Sequence, residues 1–179
     1  RFDRMPWILS IGQFRPEKDH ALMLRSFKAM LSLLNDHQDD EDHQHKQAEE
    51  SRPWISQVRL VLLGGCRGTE DEQRVSQLKQ LAKDLGIHDR VDFIVNAPFS
   101  TLTRMLSQCV IGLHTMWNEH FGICVVEYMA AGLIPLAHDS AGPKMDIVVD
   151  YESKRTGFLA STEQGYARYM SQILNGFFQ

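Results

Sequence analysis

The sequence predicts a doubly wound α/β domain built on a mainly parallel, Rossmann-like sheet. Three observations carry that prediction. Short β-branched or aliphatic runs alternate with segments of helical period, the pattern left by successive βα units. The connections are short, and glycines stand where helices should stop. The 179 residues, 43% hydrophobic and 23% charged, suffice for one domain with a core on both faces of a sheet.

The elements follow in order. Trp7 to Ile11 reads as the first strand, and Ala21 to Leu34 as an amphipathic helix with Leu22, Leu24, Phe27, Met30, Leu31 and Leu34 mostly inward. Val58 to Leu63 is the second strand, Gly64-Gly65 a tight turn, and Asp71 to Leu85 a helix closed by Gly86. Val91 to Val95 is the third strand. Ser100 is expected to cap a short helix reaching Gln108, and Val110 to His114 forms the fourth strand. A helix from Gly122 to Ala131 stops at Gly132, followed by a buried strand Ile134 to Ala137 and a Gly-Pro turn. Lys144 to Val149 is expected as a short helix, Gly157 to Leu159 as a last strand, and Thr162 as the cap of a helix running to Leu174. In such a domain ligands bind at the carboxyl ends of the strands.

The net charge of -4 is spread along the chain, with no basic stripe to neutralise a nucleic-acid backbone. Cys66, Cys109 and Cys124 are odd in number and widely spaced, which points to reduced, mostly buried thiols rather than a metal motif. No apolar run approaches the roughly 18 residues of a membrane span. Arg1-Phe2-Asp3-Arg4 lead almost directly into a strand, so the sequence reads as cut from something longer, and any membrane association is expected from sequence outside it. Asn35 to Ser51, dense in carboxylates with His37, His43 and His45, is expected as a mobile acidic surface insertion on the edge away from the cleft; a metal site there is the weaker reading.

Two constellations carry chemistry. In Glu119-His120-Phe121-Gly122-Ile123-Cys124-Val125-Val126-Glu127, two carboxylates bracket seven residues where a strand ends and a helix begins. Unpaired N–H groups of Phe121, Gly122 and Ile123 at that helix start suit a diphosphate, and Gly122 permits close approach. Glu119 and Glu127 then reach different hydroxyl-bearing parts of one ligand. The second constellation, Gly12 to Lys18, follows the first strand and offers the forked guanidinium of Arg15 and the point charge of Lys18 to phosphate oxygens. Both segments open on the same edge of a parallel sheet. His114, beside an apolar strand, reads more readily as a hydrogen-bonded core histidine than as a ligand contact; Cys124 shows no sign of nucleophilic use, and Phe14 either lines the cleft or packs beneath the loop.

The Gly-x-x-Arg-x-x-Lys loop, the Glu-seven-Glu segment and Tyr128-Met129-Ala130-Ala131-Gly132-Leu133-Ile134-Pro135 together resemble the retaining GT-B glycosyltransferases of family four, over Trp7 to about Leu174. Gly12 to Lys18, Gly112 to Gly122 with its Trp-Asn-Glu-His-Phe-Gly run, and Gly142 to Val148 resemble the members that build dolichol-linked oligosaccharides. The resemblance implies the C-terminal, donor-binding half of a GT-B enzyme, with the acceptor domain absent. It implies α-1,2 transfer of mannose from GDP-mannose to a dolichol diphosphate-linked oligosaccharide, at the cytosolic face of the endoplasmic reticulum membrane, in N-glycan precursor assembly. By position, Arg15 and Lys18 match the pair that neutralises the donor diphosphate, Glu119 the carboxylate on the transferred sugar, and Glu127 the carboxylate on the ribose diol. Gly12, His120, Phe121, Gly122 and Ile123 fall at the sugar and phosphates, and Gly64, Gly65, Val95, Asn96 and Leu102 at the base. The implied reaction needs no metal and no cofactor; it proceeds on one face of the sugar with the leaving phosphate helping to deprotonate the acceptor, so the nucleophilic carboxylate of retaining hydrolases is not transferred here.

Two departures from the broad family pattern stand out. Gln13 and Phe14 separate Gly12 from Arg15, and Ala141 precedes Gly142 where a second glycine is common. Alternatives remain open: a related transferase using another nucleotide sugar, or a nucleotide-binding module without chemistry.

Overall fold

A computed structural model describes residues 3–39 and 52–178. Among them, six strands form one parallel sheet: β1 (Trp7–Ile11), β2 (Arg59–Gly64), β3 (Val91–Val95), β4 (Ile111–Leu113), β5 (Ile134–His138) and β6 (Phe158–Ala160), in the order β3-β2-β1-β4-β5-β6. This is the doubly wound order, and the chain reverses direction across the sheet between β1 and β4. Strand residues alternate between two apolar layers, as a period of two requires. Ile8, Leu60 and Leu62 face α1 (His20–Asp39), α2 (Thr69–Asp84) and α5 (Glu163–Phe178). Leu9, Val61 and Leu63 face α3 (Phe99–Gln108) and α4 (Ile123–Ala130).

On α1 the buried positions Met23, Leu24, Phe27, Met30 and Leu34 form the inward stripe, with Leu22 and Leu31 half-buried at its margins. The helix begins one residue before the expected Ala21 and runs five beyond Leu34, into the acidic segment; the rest of that segment, with His43, His45 and the metal reading, lies outside the described residues. Gly86 and Gly132 end α2 and α4 in the left-handed conformation, as expected. Thr162 caps α5, its Oγ1 accepting from Gly165 N at 3.1 Å.

Other expectations are corrected. Ser100 does not cap α3: Phe99 already lies in the helix, Pro98 is the cap residue, and no side chain bonds there. Proline ahead of the first turn sets the chain direction without a capping oxygen. The expected helix Lys144–Val149 is a single turn, Pro143–Ile147, and the fourth and sixth strands are Ile111–Leu113 and Phe158–Ala160.

Two long-range contacts hold the crossover side of the sheet. Tyr128 of α4 is fully buried against Gly112; its hydroxyl accepts from Ile11 N at 2.7 Å and points to Leu113 O at 3.4 Å, bridging the ends of β1 and β4. Arg4 donates to Leu106 O at 2.9 Å, Cys109 O at 2.5 Å and Ala131 O at 2.5 Å, joining the carbonyl ends of α3 and α4, where positive charge also meets both helix dipoles.

Candidate active site

The site forms where β1 and β4 diverge. After β1 the chain turns through Gly12, passes the fully buried Phe14 and makes a 3-10 turn at Pro16–Lys18. Phe14 packs under the loop, its ring 5.0 Å from His20 and 6.4 Å from Phe93, so it does not line the cleft. That anchor explains why two residues separate Gly12 from Arg15: the loop turns inward once before presenting its basic residues. The Lys18 stem lies over Gly12, 3.6 Å from where a Cβ would stand. Thr115 Oγ1, just beyond β4, donates to Lys18 O at 2.7 Å and fixes the base of the lysine against the neighbouring strand.

Lys18 and Glu119 meet directly, Nζ to Oε2 at 2.9 Å, with Met116 Sδ 3.2 Å from the same nitrogen. Burial opposes the Glu119 charge, but the Lys18 hydrogen bond and charge outweigh it and hold the carboxyl below its usual range. The carboxylate is therefore ionised and poised to accept hydroxyl hydrogen bonds. Its backbone is pinned by Gly142 N donating to Glu119 O at 2.9 Å, and Asn118 N donates to Ser140 Oγ at 2.9 Å.

Beneath this pair lies His114, 3% exposed, with Nε2 3.7 Å from Glu119 Oε2. The expectation of a hydrogen-bonded core histidine is overturned in its second half: both ring nitrogens are buried and neither has a hydrogen-bond partner. An unpartnered buried polar group costs about 1–3 kcal/mol. Burial and the Lys18 charge together lower its pKa to about 4, so the ring is neutral.

Gly122 precedes α4 with φ +87°, a conformation that favours glycine, and no side chain caps the helix. The first-turn N–H groups thus face the cleft edge with their share of the helix dipole. Phe121 and Ile123 are more than half exposed beside them, His120 is exposed on the rim, and Glu127 is exposed on α4. Burial pushes the Cys124 thiol up to about 11, which makes it inert, in keeping with its sequence reading.

Arg15 is not joined to the Lys18–Glu119 pair. It is exposed and lines a cavity of about 250 Å³ with Asp19, His20, Arg74 and Leu78, on the α2 side of the loop. The base residues also divide. A Cβ on Gly64 would overlap the Gly12 carbonyl, so glycine here permits close packing between the loops after β1 and β2. Asn96 ties the loops after β2 and β3, its amide accepting from Cys66 N at 2.9 Å and donating to Cys66 O at 3.1 Å, with Gly65 alongside. Val95 is exposed at the same edge, and Leu102 is half-buried against the α3–α4 layer.

Four of the loops at this edge each carry a non-glycine residue in the left-handed region: Asp19 at +47°, Asn96 at +51°, Asn118 at +56° and Ala141 at +42°. Such conformations gather where surrounding structure holds a site in place. At Ala141 the departure from the family pattern therefore carries strain, since glycine suits that φ better. Among the described residues no cluster of three or more His, Cys, Asp or Glu is arranged to hold a metal, and no helix is long and apolar enough to cross a membrane.

A doubly wound sheet of this order, with a basic loop opposite an acidic one at its switch point, is the Rossmann-like architecture of a GT-B half. Residues 2–176 match the model of the glycosyl transferases group 1, and the chain belongs to that family. A Homo sapiens protein named GDP-Man:Man(3)GlcNAc(2)-PP-Dol alpha-1,2-mannosyltransferase is 51% identical over 94% of the chain, which spans 31% of that protein's length. Among solved structures, a mutant of S. aureus TarM, in complex with Fondaparinux, alpha-GlcNAc-glycerol and UDP, superposes with TM-score 0.71 at 16% identity, covering 98% of this chain and 29% of that one. The C-terminal domain of the group 1 glycosyl transferase LpcC from Francisella tularensis superposes at 0.63 with 16% identity, covering 98% of this chain and 88% of that one.

Proposed function

We propose that this chain is the donor-binding domain of a retaining α-1,2-mannosyltransferase that uses GDP-mannose and a dolichol diphosphate-linked oligosaccharide acceptor. The observation that carries the reading is the Lys18–Glu119 pair at the switch point: a cation for the diphosphate and an ionised carboxylate for the sugar, 2.9 Å apart. The name borne by the human relative, at 51% identity, supports the donor and acceptor. Arg15 and Lys18 stabilise the departing GDP as negative charge develops on it, and the open start of α4 adds dipoles aimed at the same group. Glu119 holds hydroxyls of the transferred mannose and Glu127 the ribose diol. Positive side chains and helix N–H groups do the work otherwise left to a cation, so the reaction is metal-independent.

The acceptor site belongs to an N-terminal domain, and closure of two domains excludes water. The full-length protein works at the cytosolic face of the endoplasmic reticulum membrane. Transfer of mannose from GDP-mannose by the full-length protein to a lipid-linked acceptor, with and without a chelator, tests the reading. It requires activity that survives chelation and falls at least about a hundredfold in Lys18→Ala. Activity restored only by a divalent cation contradicts the metal-free mechanism, and transfer from UDP-sugars alone contradicts the donor.

A further inference from the structure

We propose that His114 is a positioning residue for Glu119, the partner to which the carboxylate turns when a donor diphosphate draws Lys18 away. The inference rests on the donor reading above and deepens it. A single oxygen, Glu119 Oε2, stands between two nitrogens: bonded to Lys18 Nζ at 2.9 Å and just beyond bonding distance of His114 Nε2 at 3.7 Å. Both nitrogens of that buried ring are unpartnered, so the position carries hydrogen-bonding capacity that the unliganded chain leaves unused.

The three backbones involved are fixed. His114 N donates to Leu136 O at 3.0 Å and its carbonyl accepts from the Tyr166 hydroxyl of α5 at 3.0 Å. Thr115 holds Lys18 O, and Gly142 holds Glu119 O. Only side-chain tips are left to move. An arriving diphosphate competes with Glu119 for the ammonium; once Lys18 turns to phosphate oxygens, Glu119 closes on His114 and is held at a new angle toward the sugar. A second donor then replaces the lysine and keeps the carboxylate from swinging into solvent.

The exchange has a proton signature. Around the ring stand Lys18 on the turn after β1, Glu119 on the loop after β4, His138 on β5, and the Tyr166 hydroxyl against the carbonyl; Asp19 acts on His138 in turn. In the unliganded chain burial and the Lys18 charge keep the ring neutral down to about pH 4. When Lys18 is neutralised by phosphate and the carboxylate approaches, the pKa rises, so donor binding takes up a proton above that pH and tightens as pH falls toward it.

Calorimetric titration of the 179-residue chain with GDP-mannose at pH 5.5, in buffers of different ionisation enthalpy, reads this directly, because the donor's diphosphate diester does not titrate there. Wild type is expected to take up a substantial fraction of one proton. His114→Gln, which keeps a donor and cannot titrate, is expected to bind without uptake. His114→Phe is expected to weaken GDP-mannose by about tenfold and GDP much less, because only the sugar is read through Glu119, while the unliganded variant melts at or above the wild-type temperature. Equal uptake in wild type and His114→Gln, or equal losses for GDP and GDP-mannose in His114→Phe, overturns the proposal while the donor reading stands. Absence of any GDP-mannose binding by the wild type overturns both.

Discussion

Lys18 Nζ stands 2.9 Å from Glu119 Oε2, across the point where β1 and β4 part. The two residues lie 101 positions apart, and only the doubly wound order brings them together. The pair holds the unliganded cleft in a neutralised state.

Glu119→Gln removes the anion and leaves Lys18 half-buried without its partner. Because the folded carboxyl lies below its usual 4.5, its contribution is present above that pH and is lost as pH falls through the folded value. Denaturant unfolding should show the variant less stable by about 1 kcal/mol at pH 7, with the difference shrinking below pH 4.5. A difference that persists unchanged at about pH 3, below the usual carboxylate range, counts against the ionised pair.

His20 and His114 are both held near pKa 4 by burial, against 6.5 when unfolded. Between those values the unfolded chain binds protons that the folded chain refuses, so stability should fall as pH drops from 6.5 to 4, by about 3 kcal/mol for each ring. His20→Phe, at a ring already stacked on Phe14, should flatten that fall by roughly one proton's worth; an unaltered slope excludes His20 from the effect.

Ala141→Gly should stabilise the chain by about 1 kcal/mol, since φ +42° is strained for alanine. A lowered melting temperature would show that the extra freedom of the unfolded glycine outweighs the relief.

Tyr128→Phe leaves Ile11 N, at the end of β1, without its hydrogen-bond acceptor. The expected loss is about 1–3 kcal/mol by chemical denaturation, and amide exchange at Ile11 should quicken first. Protection at Ile11 equal to wild type rules out the bridge.

What the sequence disclosed was what is written locally. Trp7–Ile11 and Val91–Val95 are bounded as expected because aliphatic runs and flanking turns lie side by side in the chain, and Thr162 caps α5 through a residue three positions on. The pairing of Lys18 with Glu119 was legible only through strand order, which the alternation of elements implied. Arg4 and the Tyr128–Ile11 bridge were missed as structural keys because the groups they join lie more than a hundred residues apart, with no local pattern to mark them. The close packing at Gly64 was not legible for a related reason: a glycine that admits a carbonyl from another loop looks in sequence like any other turn glycine. His114 was placed in the core correctly, yet no sequence pattern tells a satisfied buried histidine from an unsatisfied one.

The central claim is that this cleft takes a GDP-linked sugar. Isothermal titration of the chain with GDP, UDP and ADP tests it most directly. The account predicts measurable binding of GDP, weaker binding of UDP and ADP, and loss of GDP binding in Lys18→Ala. Equal affinity for all three nucleotides, or GDP binding indifferent to Lys18, would contradict it.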